Sequence, residues 1–180
     1  GYILAIGSMY PRKRWDHLLR AVAYVAGKGF QVEVLHAGEG PLREELESMA
    51  RGLHVEDLFR FLGNRNDVPD LLAGAAFLVH TGDNEGCPNV IMEAMACGRA
   101  VVATDAGDVP YLIDNGKTGF VVPQEDEAAL ADRIAMLLED RELCSKLGNA
   151  GRAKAEQLFG LDRLRLETFA AYRAEGWEDR

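Results

Sequence analysis

The chain has 180 residues, of which 48% are hydrophobic and 27% are charged, a composition typical of a globular domain with its own core. Its net charge of −9 argues against a nucleic-acid partner held through phosphate contacts, and no signal peptide or transmembrane segment is expected. The three cysteines, Cys87, Cys97 and Cys144, lack metal-ligand spacing and favour reduced thiols. We therefore expect a cytoplasmic protein without a metal site.

The apolar runs predict buried strands, taken in chain order. They cover residues 2–6, 31–37, 58–62, 76–80, 100–104 and 120–122. Apolar residues at helical spacing predict helices between and after these strands. The helices cover residues 15–26, 41–50, 67–73, 89–97, 111–114, 130–138, 141–155 and 161–174. The alternation predicts an α/β fold with a doubly wound parallel sheet of about six strands, helices on both faces and a helical C-terminal tail.

The loops that follow the predicted strands carry many of the glycines and much of the polar chemistry. Ligands of such sheets bind outside the carboxyl ends of the strands. The loops at those ends are residues 7–14, 38–40, 63–67, 81–88 and 105–110. We expect them to line one crevice.

Residues 85–98 form the most informative stretch of the chain. Pro88 suits a first helical turn, Gly98 suits a helix stop, and the helix between them is mostly apolar. Such a helix is normally buried, which predicts that Glu93 is a buried carboxylate. Glu85 precedes the helix start, where free N–H groups favour an anion. The alternative is a core helix in which Glu93 pairs with a structural Arg or Lys.

Two further loops carry candidate ligand-binding residues. Gly7 and Lys13 follow the first strand and suit a diphosphate, because backbone can approach closely at a glycine and Lys supplies a point charge. A solvated basic loop is the alternative interpretation. Arg65 could contact a nucleotide base or be a surface arginine. His80 ends a strand and is interpreted as structural, outside the site.

A family resemblance rests on the stretch already described. A Glu, seven residues and a second Glu followed by Ala-Met-Ala-x-Gly, with Gly-x-Pro-Asn-Val between, resembles the donor-site signature of retaining GT-B glycosyltransferases of family four. The resemblance runs from Gly7 to about Leu138. It implies that Glu85 lies beside the donor sugar and that Glu93 bonds the ribose of the nucleotide.

The resemblance also implies roles for the loop before the central helix. Backbone N–H groups just after the first Glu contact donor sugar or phosphate in the family. Pro88 removes one such donor and leaves those of Cys87, Asn89 and Val90.

The resemblance extends to the loop after the first strand. Gly7 and Lys13 match the family's Gly-Arg-x-x-x-x-Lys-Gly segment, in which the cations contact the diphosphate, whereas Ser8 stands where the family has Arg and Arg14 where it has the second Gly. Arg65 falls in a segment that meets the base. Glu85 and Lys13 are therefore the implied catalytic residues.

The implied reaction is transfer of a sugar from a UDP-, GDP- or ADP-sugar to a hydroxyl acceptor, with retention and without a metal or other cofactor. Residues 1–180 then form a single Rossmann-like donor-binding domain, the C-terminal half of a GT-B fold, and the N-terminal acceptor domain is absent. We expect the isolated chain to be inactive and any membrane contact to come through the absent domain. A nucleotide-sugar-binding module without transferase activity and a GT-B-like nucleotide-sugar epimerase are the alternatives. An NAD-dependent oxidoreductase is disfavoured, because no Gly-x-Gly-x-x-Gly follows the first strand.

Overall fold

The computed structural model describes residues 1–177, which form an α/β fold around one sheet. Its six strands are β1 Tyr2–Ile6, β2 Val34–Ala37, β3 Phe59–Gly63, β4 Ala75–His80, β5 Ala100–Thr104 and β6 Phe120–Val122. All neighbouring strands are parallel, in the order β3-β2-β1-β4-β5-β6. The predicted parallel sheet is thereby confirmed.

Helices cover both faces of this sheet, as predicted. They are α1 Trp15–Gly27, α2 Arg43–Gly52, α3 Val68–Gly74, α4 Asn89–Ala96, α5 Val109–Leu112, α6 Glu127–Glu139, α7 Arg141–Leu158 and α8 Leu161–Ala174, with a 3-10 turn at Pro11–Lys13. Apolar residues of α1, α2 and α6 form one core with the sheet, and those of α3, α4 and α5 form another on the opposite face.

The inner strands are largely apolar because both of their faces are buried, whereas the edge strand β3 exposes Arg60. In β1, Ile3 and Ala5 belong to the core under α1, whereas Leu4 between them belongs to the core under α4. Side chains of a strand alternate between the two faces of a sheet, so a strand covered on both sides must be apolar at every position. This explains why the sequence indicated the strands so clearly.

Several predicted boundaries move by one to three residues; helix α6, for example, begins at Glu127 rather than residue 130. Strand β2 begins at Val34 rather than residue 31, and the short helix α5 begins at Val109 rather than residue 111, with Pro110 in its first turn. Helix α7 continues to Leu158. Differences of a few residues at element ends are expected, because ends are fixed by local capping rather than by apolar periodicity.

Helix α8 differs from the other long helices because none of its side chains is buried. It carries, together with the segment after it, a series of large exposed apolar side chains: Leu161, Leu164, Leu166, Phe169, Tyr172 and Trp177. Within residues 1–177, no helix is long and apolar enough to cross a membrane.

The strand order determines where the loops after β1 and β4 lie. The chain winds from β1 outward through β2 to β3, then returns to the other side of β1 and continues outward through β4, β5 and β6. The connections after β1 and β4 therefore leave the sheet in opposite directions, and a crevice opens between them at the carboxyl edge. The loops that follow β1 and β4 carry the predicted site residues.

Candidate functional site

Lys13 and Glu85 meet at this crevice. Lys13 ends the 3-10 turn after β1, Glu85 lies in the loop after β4, and their Nζ and Oε1 atoms are 2.6 Å apart. Only 14% of the Lys13 side chain and 9% of the Glu85 side chain are exposed. The two residues predicted as catalytic, 72 positions apart in the chain, therefore form one largely buried ion pair.

Backbone and hydroxyl contacts hold the two loops together. The amide of Asp83 donates to the carbonyl of Arg12 (3.0 Å), and the Thr81 hydroxyl donates to the carbonyl of Lys13 (2.8 Å). The Thr104 hydroxyl, at the end of β5, donates to the carbonyl of Gly82 (2.5 Å). The Lys13–Glu85 pair is thus supported by a fixed scaffold.

Two glycines make room for Glu85. A Cβ at Gly82 would lie 2.2 Å from Glu85 Oε1, and a Cβ at Gly107 would lie 1.8 Å from the Glu85 carbonyl oxygen. Gly107 also has φ +52, a backbone conformation that favours glycine. Larger residues at either position would displace the carboxylate or its loop.

His80 lies beside Glu85, in addition to the residues predicted for this crevice. It ends β4, is 1% exposed, and its Nε2 lies 3.1 Å from the same Glu85 oxygen that Lys13 contacts. The Nε2–Oε1 contact is close but not aligned as a hydrogen bond, and Nδ1 has no partner within residues 1–177. Its position at the carboxyl edge, five residues before Glu85, was the available signal in the sequence.

These neighbours determine the charge state of Glu85. Burial alone would raise its pKa, but the contacts with His80 and Lys13 outweigh burial and lower the pKa from 4.5 to about 2. Glu85 is therefore a carboxylate at neutral pH, able to face a developing positive charge but not to donate a proton.

Glu93 is exposed, so the prediction that it is a buried carboxylate is wrong. Helix α4 buries Ile91, Ala94 and Met95, which lie on one face, and leaves Glu93 in solvent. The alternative of a structural Arg or Lys partner is also wrong within residues 1–177, where no ion pair involves Glu93. The carboxylate is accordingly free to accept a hydrogen bond from a ligand.

The start of α4 offers backbone donors beside Glu85. Pro88 is the N-cap residue, and Asn89 and Val90 form the first turn, whose N–H groups have no acceptor within the helix. Cys87 precedes them as an exposed free thiol. The three predicted N–H groups thus follow Glu85 directly, on the positive end of the helix dipole.

Gly7 and Arg65 meet in a smaller cavity of about 230 Å³, beyond the ends of β1, β2 and β3. Lys13, Glu85 and Glu93 do not line it. Arg65 is exposed and forms a two-point ion pair with Asp67, in which its Nε lies 2.8 Å from Oδ1. A Cβ at Gly7 would lie 3.7 Å from Lys13 Cε, so the Gly7 cavity adjoins the Lys13–Glu85 pair although Lys13 does not line it.

The Arg14 guanidinium is held mainly by neighbouring carboxylates. Arg14 has a positive φ of 49, and its guanidinium contacts Asp83, Glu125, Asp16 and His17. Hydrogen bonds to carboxylates raise the pKa of Arg14 although burial opposes this effect.

Neither Arg14 nor Arg12 lines the Gly7 cavity. Both line a larger cavity, of about 860 Å³, between the 3-10 turn, α1 and α2. That cavity includes neither Lys13 nor Glu85, so cavity size alone does not locate the chemistry.

Comparison with known proteins gives the family. Residues 1–140 match the family described as Glycosyl transferases group 1, which is most of the chain, and the chain belongs to that family. It is 28% identical over 162 residues to the N-acetyl-alpha-D-glucosaminyl L-malate synthase of Bacillus anthracis, a match that covers 90% of this chain and 42% of the synthase.

Solved structures agree with the fold. Anabaena Alr3699/HepE in complex with UDP superposes with a TM-score of 0.90 at 26% identity, over 97% of this chain and 49% of that one. The C-terminal domain of a glycosyl transferase group 1 family protein (LpcC) from Francisella tularensis has a TM-score of 0.81, over 89% of this chain and 87% of that one; at 23% identity it shows the fold alone. The structural neighbours are GT-B glycosyltransferases. The chain spans less than half the length of the synthase and of HepE.

Proposed function

We propose that this chain is the donor-binding domain of a retaining glycosyltransferase, and that it binds the nucleoside diphosphate sugar whose sugar is passed to a hydroxyl acceptor. The observation that carries the proposal is the Lys13–Glu85 pair at the crevice between β1 and β4. This is the part of a doubly wound sheet where nucleotides bind, and it holds a cation for phosphate beside a carboxylate that stays ionised.

The chemistry follows from the leaving group. As the bond between the anomeric carbon and the diphosphate breaks, negative charge grows on the diphosphate oxygens. Lys13 and the first N–H groups of α4 stabilise that charge, in the way that preorganised donors stabilise other oxyanions. Because this positive potential comes from the chain itself, transfer proceeds without an added metal.

Glu85 acts on the sugar. With a pKa of about 2 it is negative at neutral pH, and a carboxylate next to the anomeric carbon favours the positive charge that develops there. The acceptor oxygen forms the new bond to this carbon on the face from which the diphosphate departs, as the proposed retention requires, and the acceptor's proton passes to the departing diphosphate oxygen. Lys13 must exchange its contact with Glu85 for one with the diphosphate, which the flexible ammonium-bearing side chain permits.

The nucleoside part of the donor contacts the remaining predicted site residues. Glu93 accepts hydrogen bonds from the ribose hydroxyls, and Arg65, at the Gly7 cavity, contacts the base while its ion pair with Asp67 holds the guanidinium in place. HepE was crystallised with UDP, so uridine nucleotides are the first candidates, with GDP and ADP behind them.

The acceptor binds to another part of the protein. The chain spans 42% of the Bacillus anthracis synthase and 87% of the LpcC C-terminal domain, which supports its role as a C-terminal domain that works with an N-terminal acceptor domain.

A ligand screen tests the proposed class. The thermal midpoint of the chain is measured with UDP, GDP, ADP and NAD, because a ligand that binds only the folded state raises stability by mass action. A rise with one nucleoside diphosphate and none with NAD supports the proposal, and no rise with any of the three diphosphates overturns it. With the longer protein, product analysis then separates transfer to an acceptor from epimerisation and from binding alone.

A further inference from the structure

His80 and Lys13 converge on one oxygen. Glu85 Oε1 lies 2.6 Å from Lys13 Nζ and 3.1 Å from His80 Nε2, and the side chains of His80 and Glu85 are 1% and 9% exposed. The carboxylate therefore has two potential cationic partners and little water.

Lys13 has two competing acceptors under the proposed function. It pairs with Glu85 here, yet it is also the candidate cation for the diphosphate. When the ammonium turns toward the diphosphate, Glu85 loses its nearest positive charge, and a largely buried carboxylate without a partner is unfavourable.

His80 lies where it can replace the positive charge that Glu85 loses when Lys13 turns away. Its imidazole lies against the same Glu85 oxygen as Lys13, and an imidazole becomes a cation by taking up a single proton. A further titratable group, His36 of β2, contacts the same Trp15 ring as His80; the Trp15 centroid lies 4.6 Å from that of His36 and 6.2 Å from that of His80. Burial lowers the pKa of His36 to about 4, so His36 stays neutral near pH 7 and does not compete for the proton.

We propose that His80 is a positioning residue that takes up one proton from solvent when a nucleoside diphosphate draws Lys13 away from Glu85. The imidazole becomes an imidazolium, its Nε2–H holds Glu85 ionised and in place beside the donor sugar, and no bond to the nucleotide is made or broken. Nucleotide binding is thereby coupled to proton uptake. The inference rests on the proposed function only in assigning the diphosphate to Lys13.

The first test counts protons. Calorimetric titrations with UDP, GDP and ADP at pH 7 are repeated in buffers of different ionisation enthalpy, for the parent and for His80→Gln, which keeps a neutral donor near the Nε2 position. Because the nucleotides can exchange a proton themselves, the informative quantity is the difference between the two proteins. The parent should take up more protons than the variant, by up to about one per nucleotide bound. His54→Asn, an exposed histidine on the loop before β3, is the control and should match the parent.

A second test needs no ligand. In Lys13→Met the cation is removed permanently, so the imidazole signal of His80, followed by NMR, should titrate about one pH unit higher than in the parent. This measurement still tests proton uptake by His80 if the His80→Gln variant does not fold. Equal titration midpoints, or nucleotide binding with the same proton count in the parent and His80→Gln, would overturn the inference and leave the proposed function intact. A parent that binds none of the three nucleotides overturns both.

Discussion

Glu85 combines burial with charge. Its carboxylate has lost most of its water, and Lys13 and His80 replace that water on a single oxygen. For such a group, the neighbours decide whether the proton stays on or leaves, and here they favour ionisation. The same arrangement that suits Glu85 to its proposed place beside the anomeric carbon also links its charge to the stability of the fold.

We predict a specific pH dependence of stability. The folded pKa of Glu85, about 2, lies below its ordinary 4.5, so its contribution is present above about pH 4.5 and is lost as the pH falls toward 2. The contribution is roughly 3 kcal/mol, because each pH unit between the two pKa values is worth about 1.4 kcal/mol. Urea unfolding of the parent and of Glu85→Gln between pH 7 and pH 3 checks this: the parent's stability advantage should narrow below pH 4.5. An advantage that is constant with pH would contradict the charge state assigned to Glu85.

Glu93 is exposed and unpaired among the described residues, so we expect its substitution to affect nucleotide binding rather than stability. Glu93→Ala should leave the thermal midpoint almost unchanged and weaken nucleotide binding by roughly 1.5–3 kcal/mol, the value of a hydrogen bond to a charged group. Glu44→Ala, an exposed glutamate of α2, serves as the control in both measurements. If Glu93→Ala binds UDP, GDP and ADP as the parent does, its assignment to the ribose fails.

At the scale of elements, the site depends on close contact between loops. Gly107, just before α5, approaches the Glu85 carbonyl so closely that no side chain fits. Gly116 has a similar positive φ of +76, but a Cβ there would meet nothing within 4 Å. Substitutions at the two glycines therefore distinguish the energetic cost of backbone strain from that of steric crowding.

We expect Gly107→Ala to be much more destabilising than Gly116→Ala. The latter carries strain alone, about 1 kcal/mol, whereas the former must also displace the loop that holds Glu85, which adds about 2 kcal/mol or more. Chemical denaturation of the two variants measures the difference. Similar losses would mean that the loop around Glu85 yields easily and is not a fixed scaffold.

Elements of this chain differed in how far the sequence could predict them. Strands β1, β5 and β6 were predicted at their observed bounds, because burial on both faces leaves an uninterrupted apolar run. The burial of Glu93 was predicted wrongly, because the methionines and alanines of α4 do not mark which face is covered.

The contacts of the site were less accessible to sequence analysis. Lys13 and Glu85 were each predicted from local motifs, but their meeting depends on β1 and β4 lying side by side, which the order of strands along the chain does not specify. His80 was missed for the same reason, since its role comes from a tertiary contact and not from a motif.

For the whole molecule, fold and activity are separable. The sheet and its two cores are complete in this chain, and the candidate donor loops lie at one edge. Under the proposed function, acceptor binding and exclusion of water depend on a second domain that closes over the crevice. We therefore expect the isolated chain to fold and bind a nucleotide but to transfer no sugar, with slow donor hydrolysis at most. A transfer assay with the matched donor and a broad set of hydroxyl acceptors checks this, and robust turnover by the chain alone would contradict the two-domain account.

The central claim is that Lys13 binds the diphosphate of the donor, and comparing a nucleotide with its nucleoside tests it most directly. Calorimetry with the tightest-binding of UDP, GDP and ADP, and with the corresponding nucleoside, is carried out on the parent, on Lys13→Met and on Arg12→Met, a neighbouring exposed cation. Our account predicts that Lys13→Met weakens binding of the nucleoside diphosphate by roughly 10- to 100-fold. Binding of the nucleoside should be unchanged, and Arg12→Met should match the parent for both ligands. If Lys13→Met loses affinity equally for both ligands, or for neither, Lys13 does not bind the diphosphate.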